Sequence, residues 1–304
     1  MVILTNLTEQ EIIHLSNQFG LVNLSSFVYI KSGAANSSYL IDADGNRFIL
    51  SICDEKHHSE INVQVQLLKH LEKHHFPTTR LCRMVTQKYI ATYAGKPVIL
   101  KHFIEGTIPE YLNHLMITDL GRSVARLHMI TPFDGLPNSF PYGFDSFSDV
   151  IHSDPQSEFS LWLIDQKKKF QKHIPKTLPK GLVHGDLFCD NLVYNQNSLV
   201  AILDFEEACN YYFVFDIGMI IVSCCTKNGC VDWNKVDTLL RAYESVRPLN
   251  DIERKSIPIM VEYAATATAF WRYRQYNIRN PDNKLKNSHK EMVEIAKNVI
   301  GSKL

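Results

Sequence analysis

The sequence predicts an α+β fold in two lobes. A small amino-terminal lobe of mostly antiparallel strands with one packed helix precedes a larger, mainly helical carboxy-terminal lobe that carries a polar hairpin. Three observations lead there. The chain has 304 residues, beyond the roughly 250–300 at which a single core stops growing. Its first hundred residues hold short β-branched and aromatic runs divided by turn residues, whereas apolar side chains recur at helical spacing after residue 107. Finally, two short apolar runs, Leu192-Val193-Tyr194 and Leu199 to Leu203, flank the polar break Asn195-Gln196-Asn197-Ser198.

In chain order, Thr8-Glu9-Gln10-Glu11 matches a capping box, in which the threonine oxygen and the glutamate carboxylate satisfy orphan amides at a helix start. A helix is expected from there to about Gly20. Residues 27–31, 38–42 and 47–52 read as a three-strand meander, with Ser32 to Ser37 joining the first two. In that connection the small residues Gly33, Ala34, Ala35, Asn36 and Ser37 would let backbone amides approach phosphate oxygens; with one glycine, the segment taken alone reads more often as an ordinary hairpin loop, and the phosphate reading draws its weight from the acidic cluster downstream. Ile61, Val65, Leu68 and Leu71 mark a helix over 59–73, ended by Phe76-Pro77. Residues 89–93 and 97–101 add two strands and complete the first lobe, 1–101. The segment His102-Phe103-Ile104-Glu105-Gly106 follows as a hinge, and residues 107–304 form the second lobe.

That second lobe opens with a helix over about 110–129, in which the lone His128 reads as structural. Pro132, Pro137 and Pro141 then mark a loop, and a helix over 158–173 precedes the hairpin. Residues 213–226 are apolar and too short to span a bilayer, so they read as a buried helix. Asp216 is the anomaly within it: a carboxylate there is costly unless hydrogen-bonded, which predicts that it caps the helix or braces the loop holding Asp186. Helices over 234–245, 252–277 and 288–300 finish the chain. Phe270 to Tyr276 interleaves arginine with aromatic rings, a pattern of helix packing with exposed guanidinium heads.

Composition narrows the classes. Lysine plus arginine equal aspartate plus glutamate at 32 each, which argues against nucleic acid or an anionic membrane as the main partner. The seven cysteines show no zinc spacing and read as reduced thiols. No leader pattern or long apolar stretch stands at the amino terminus, so the expected location is cytoplasmic.

The hairpin carries the chemistry. Turning the chain back at 195–198 brings Asp186 and Asn191, before the first strand, toward Asp204, which ends the second. Phosphoryl transfer asks mainly for positioning and charge neutralisation: a carboxylate to take the hydroxyl proton, and oxygen ligands for a magnesium ion bridging the phosphates. His184-Gly185-Asp186 followed by Asn191 five residues later, then Asp204-Phe205, has the order of a kinase catalytic loop and metal strand, with Glu206 where the glycine of that template stands.

On these residues the chain resembles the aminoglycoside phosphotransferase and choline kinase group of small-molecule kinases, which share a two-lobed protein-kinase-like fold. Leu120 to His128 resembles the group's Leu-Gly-x-x-Leu-Ala-x-Leu-His helix, and Asp216 its buried aspartate. Within the group the chain is most similar to the homoserine kinase branch, through Asn36 to Leu40, Phe48-Ile49-Leu50, Asp186-Leu187-Phe188 with Asp190-Asn191, and Arg274 with Tyr276. Two departures stand out. The usual third-strand lysine would fall near Ser51, with Lys56 the nearest substitute, and Glu206-Glu207 occupies positions where homoserine kinases carry aromatic residues.

The resemblance implies an ATP- and Mg2+-dependent kinase acting on a hydroxyl of a small amino alcohol or amino acid, with homoserine first. It assigns Asp186 and His184 to catalysis, Asn191 and Asp204 to the metal, and Gly33 to Ser37 with Phe103, Ile104 and Glu105 to the nucleotide. Glu206, Glu207, Arg274 and Tyr276 are the candidate substrate residues. Paired carboxylates favour a cationic acceptor, so choline, ethanolamine and aminoglycoside-type acceptors are the alternative. The missing lysine motivates a third reading, a nucleotide-binding module without turnover.

Overall fold

The computed structural model describes residues 4–30, 36–227 and 229–299. The chain divides into two compact units, one running to Gly106 and including Val200–Leu203, the other holding Thr107–Leu199 and Asp204 onward.

In the first unit, helix α1 (Glu9–Gln18) starts on the expected capping box: the Glu11 amide donates to the Thr8 hydroxyl at 3.4 Å, and the Thr8 amide to the Glu11 carboxylate at 2.8 Å. Strands β1 (Leu24–Ile30), β2 (Asn36–Ala43) and β3 (Asn46–Cys53) form the meander, helix α2 (His58–Lys73) follows, and β4 (Ala91–Tyr93) and β5 (Lys96–His102) complete the sheet. The order is β1-β2-β3-β5-β4, antiparallel at every pairing. Period-two alternation gives the sheet two apolar faces. Tyr39, Ile41, Leu50, Ile52, Val98 and Leu100 pack with Ile12 and Leu15 of α1 and with Phe19 just after it, while Cys53 and Ile99 pack with Ile61 and Val65 of α2. Both predicted helices therefore pack on the sheet, where the sequence reading places one.

The second unit begins with α3 (His114–His128), whose start falls at 114 because the Asn113 side chain caps the Met116 amide at 3.0 Å. The proline-marked loop contains structure that periodicity did not signal: a tight turn over Phe144–Phe147 and the short helix α4 (Ser148–Ser153). Helix α5 (Glu158–His173) leads to β6 (Lys180–Val183), then to the expected hairpin of β7 (Leu192–Asn195) and β8 (Ser198–Ile202). Strand β9 (Cys209–Tyr212) pairs antiparallel with β6, setting Val183 opposite Cys209.

Helices α6 (Phe213–Cys224), α7 (Trp233–Glu244), α8 (Asp251–Tyr273) and α9 (His289–Val299) complete the unit. Nearly all of α6 is buried, and Gly218 lets it approach α8: a Cβ there would stand 2.6 Å from the Met260 carbonyl oxygen. Helix α8 gives way at its end to a wider π-type turn, Arg274–Arg279. Among the described residues no helix is long and apolar enough to cross a membrane.

Candidate active site

The site grows from the loop after β6. His184 is fully buried, its ring edge-on to Phe205 with centroids 4.5 Å apart, and its Nδ1 accepts the Asp186 amide at 3.1 Å. Gly185 has φ +84°, and a Cβ there would lie 2.9 Å from the Glu207 carbonyl oxygen, so both conformation and space call for glycine. Asp216, in the first turn of α6, braces this loop as the sequence predicts. Its two carboxylate oxygens accept the His184 amide at 2.7 Å and the Gly185 amide at 2.8 Å.

His128 completes the brace. Its Nε2 lies 3.1 Å from Asp216 and its Nδ1 2.7 Å from the Tyr243 hydroxyl. A carboxylate only accepts, which puts the ring proton on Nε2 and makes Tyr243 the donor to Nδ1. Tyr243 in turn accepts from Arg247 at 3.2 Å, and Arg247 pairs with buried Glu253 at 2.8 Å. Burial holds the His128 pKa below its ordinary value despite the pull of Asp216. Its role in the fold is structural, as the sequence predicts.

Asp186 follows, half-buried, with the Asn191 side-chain amide donating to its carboxylate at 3.0 Å and to its carbonyl at 2.9 Å. Asn191 sits in a tight turn, Cys189–Asn191, immediately before β7. The hairpin is anchored from both strands: the Tyr194 hydroxyl donates to the Met116 carbonyl at 2.9 Å and the Leu199 amide to Asp119 at 2.7 Å. Burial pushes the Asp186 carboxyl up to about 7, reinforced by Asp204, Asp190 and Glu207 and opposed by the Asn191 hydrogen bond. Asp204 takes a left-handed conformation, φ 56° and ψ 67°, at the end of β8. Such backbone strain is common where function fixes a side chain.

This donor set fits a divalent cation. With the Asn191 amide nitrogen on Asp186, its carbonyl oxygen and the Asp204 carboxylate are the oxygen donors that would hold such an ion, and the crowded negative charge around Asp186 is what a cation relieves. Among the described residues no three His, Cys, Asp or Glu side chains form a metal cage.

The predicted substrate residues fall into one cluster with two that sequence reasoning missed. Glu207, in the turn Phe205–Glu207, accepts the Tyr142 hydroxyl at 3.2 Å. The Arg274 guanidinium lies 5.1 Å from the centre of the Tyr142 ring and pairs with Asp149 at 3.1 Å. Trp271 meets Tyr142 and Tyr276 edge-on, at 6.5 and 5.8 Å. Glu206 is half-buried in the same turn as Glu207. Tyr142 and Asp149 come from the proline-marked loop and α4, where only Pro141 beside an aromatic residue hinted at order.

The nucleotide candidates fare differently. Gly33, Ala34 and Ala35 lie outside the described residues. Asn36 opens β2, but the buried Ser37 hydroxyl accepts the Thr5 amide at 2.7 Å and donates to Asp54 at 2.6 Å, so its side chain is committed to the α1 side of the sheet. Ser51, at the position of the usual lysine, is buried 3.1 Å from the Ser38 hydroxyl. The Phe103 amide donates to the Arg47 carbonyl at 3.0 Å, and the Arg47 guanidinium covers the Phe103 ring and pairs with Glu105; Ile104 between them is half-buried.

Fold and site together define a class. The architecture is the kinase-like one of solved small-molecule phosphotransferases. It is similar to amicoumacin kinase in complex with AMP-PNP, Ca2+ and Ami, with a TM-score of 0.75 at 16% identity, covering 96% of this chain and 94% of that one. Spectinomycin phosphotransferase with ADP and spectinomycin gives 0.69 at 15%, covering 98% of each chain, and the microcompartment-associated aminopropanol kinase gives 0.68 at 14%, covering 96% and 97%. The model of the phosphotransferase enzyme family matches residues 26–250, and the chain belongs to that family. Among curated relatives it is 25% identical over 275 residues to homoserine kinase of Rhizobium meliloti strain 1021, covering 87% of this chain and 84% of that protein. Homoserine kinase of Parvibaculum lavamentivorans is 25% identical over 288 residues, covering 92% and 89%.

Proposed function

We propose that the chain transfers the terminal phosphoryl group of ATP to a hydroxyl of a small amino-bearing metabolite, with L-homoserine as the first acceptor and O-phosphohomoserine as product. The observation that carries this reading is Asp186 held by Asn191 at 3.0 Å, on a loop braced through two amides by Asp216. Asp186 orients the acceptor hydroxyl and takes its proton. Buried His184 fixes the Asp186 backbone and is a positioning residue. Asn191 and Asp204 would hold magnesium, which when bound would supply charge neutralisation along the phosphates.

In the same reading residues 1–101 bind the nucleotide, 102–106 act as a hinge and 107–304 carry catalysis and acceptor. Backbone amides at 33–37 cover the phosphates, and Phe103 to Glu105 face adenine through Ile104 and Glu105, since the Phe103 amide is already engaged. The homoserine kinase relatives support the acceptor, and the protein would act in the cytoplasm. A second reading, an amino alcohol without a carboxylate, draws on Glu207, whose charge acts on Asp186. Phosphorus NMR of the purified protein with ATP, magnesium and each acceptor separates them. A new phosphate monoester with homoserine is expected; product only with carboxylate-free amines would reject homoserine.

A further inference from the structure

The loop 184–191 is tied to helix α6 at both ends of that helix. In the first turn Asp216 accepts the His184 and Gly185 amides, and near the last residue the Ser223 hydroxyl donates to the Leu187 carbonyl at 2.5 Å. One residue further on, the Cys224 sulfur lies 3.4 Å from the Cys189 sulfur. Neither thiol has a part in phosphoryl transfer, yet Cys189 opens the tight turn that ends in Asn191. The two differ in access. Cys189 is half-buried, whereas Cys224 is buried at the end of α6. An oxidant therefore meets Cys189 first, with a second thiol already in contact to resolve it.

We infer that Cys189 and Cys224 are a modification site, a thiol pair that hydrogen peroxide closes to a reversible disulfide, and that closure draws the Asn191 turn off Asp186 and suppresses transfer. The effect on transfer rests on the kinase reading; the disulfide does not. The Cys189 sulfur attacks one peroxide oxygen and the O–O bond breaks, leaving a sulfenic acid and one water. The Cys224 sulfur then displaces the sulfenic hydroxyl, which takes the last thiol proton and departs as a second water. Two thiols have lost two electrons and two protons to one peroxide. A disulfide bond is about 2.05 Å long, so the sulfurs must close by about 1.4 Å. Helix α6, buried and held against α8 at Gly218, yields less than the partly exposed turn Cys189–Asn191. The Asn191 side chain, 3.0 Å from the Asp186 carboxylate, moves with that turn. A misplacement of about 1 Å can cost about 10²-fold in rate.

The test is peptide mapping, turnover and hydrogen exchange on the full chain before and after hydrogen peroxide. Mass spectrometry of the treated protein should find the Cys189 and Cys224 peptides linked, with the loss of two hydrogens. ATP-dependent phosphorylation of L-homoserine under saturating magnesium should fall about 10- to 100-fold and return with dithiothreitol. The Asn191 amide, which donates to the Phe188 carbonyl at 3.0 Å, reads the turn without activity and should exchange at least about tenfold faster after treatment. Cys189→Ser and Cys224→Ser, each against its own untreated form, should keep turnover and exchange within about twofold. Absence of the linked peptide, or the same loss in Cys224→Ser, where Cys189 can be oxidised but not bridged, overturns the inference. A linked peptide with turnover and exchange unmoved overturns it as well and leaves the kinase reading in place. A linked peptide with quickened exchange, in a protein whose untreated form phosphorylates no acceptor, keeps the thiol switch and sinks the kinase reading.

Discussion

Replacing Asp216 by asparagine probes the joint on which the candidate site rests. Asp216 is wholly buried and accepts three hydrogen bonds, from the His184 amide at 2.7 Å, the Gly185 amide at 2.8 Å and His128 at 3.1 Å. An asparagine oxygen can keep one or two of them, but its NH2 then faces a buried donor. Hydrogen bonds to a charged group contribute about 1.5–3 kcal/mol each, and an orphaned buried donor costs about 1–3 kcal/mol, so the loop should lose roughly 2–4 kcal/mol. Every 1.4 kcal/mol is tenfold, which makes that roughly 30- to 1,000-fold in the opening equilibrium. With two compact units, global unfolding is a poor reporter, and hydrogen exchange at the Gly185 amide reads the loop itself. That amide should exchange faster by this factor in Asp216→Asn, with amides of the β2–β3 pairing unchanged. Exchange within about threefold of the parent protein would refute the brace.

Two further perturbations reach the packing and the buried relay. Gly218→Ala puts a methyl 2.6 Å from the Met260 carbonyl oxygen, so separation of α6 and α8 should outweigh the helix propensity gained and lower stability by about 1–2 kcal/mol, read as an earlier urea midpoint; a later midpoint would contradict the close approach. His128 has a folded-state pKa below the 6.5 of the free side chain, so the unfolded chain takes up this proton first, and its stability contribution holds above that pH and falls away below it. In NMR the His128 ring should stay neutral to a lower pH than a free histidine side chain, and protonation at or above the free value would show the relay to be wrongly assigned.

Legibility from sequence followed the range of the interactions. The capping box at Thr8 and Glu11 spans three residues and the β7–β8 hairpin about ten, so local pattern sufficed for both. Asp216 was legible for a different reason: a carboxylate in an apolar helix demands partners, and chemistry named the loop that supplies them. The β6–β9 pairing was missed because two four-residue strands, one carrying Gly181, meet only across the intervening loop and hairpin. Tyr142 and Asp149 were missed because proline-marked segments have no periodicity, and what Tyr142 meets, the Glu207 carboxylate and the Arg274 guanidinium, comes from distant parts of the chain. The direction of the Ser37 side chain was not legible: the alternation of β2 turns its hydroxyl toward Thr5 and Asp54.

The central claim is that Asp186 takes the acceptor proton, and Asp186→Ala tests it most directly. Removing a general base typically costs roughly 10²–10⁴ in rate. Measured as ATP-dependent formation of O-phosphohomoserine under saturating magnesium, kcat should fall by that factor while hydrogen-exchange protection of the Gly185 amide, held by Asp216 rather than Asp186, stays intact. Near-parent turnover by that variant would contradict the account.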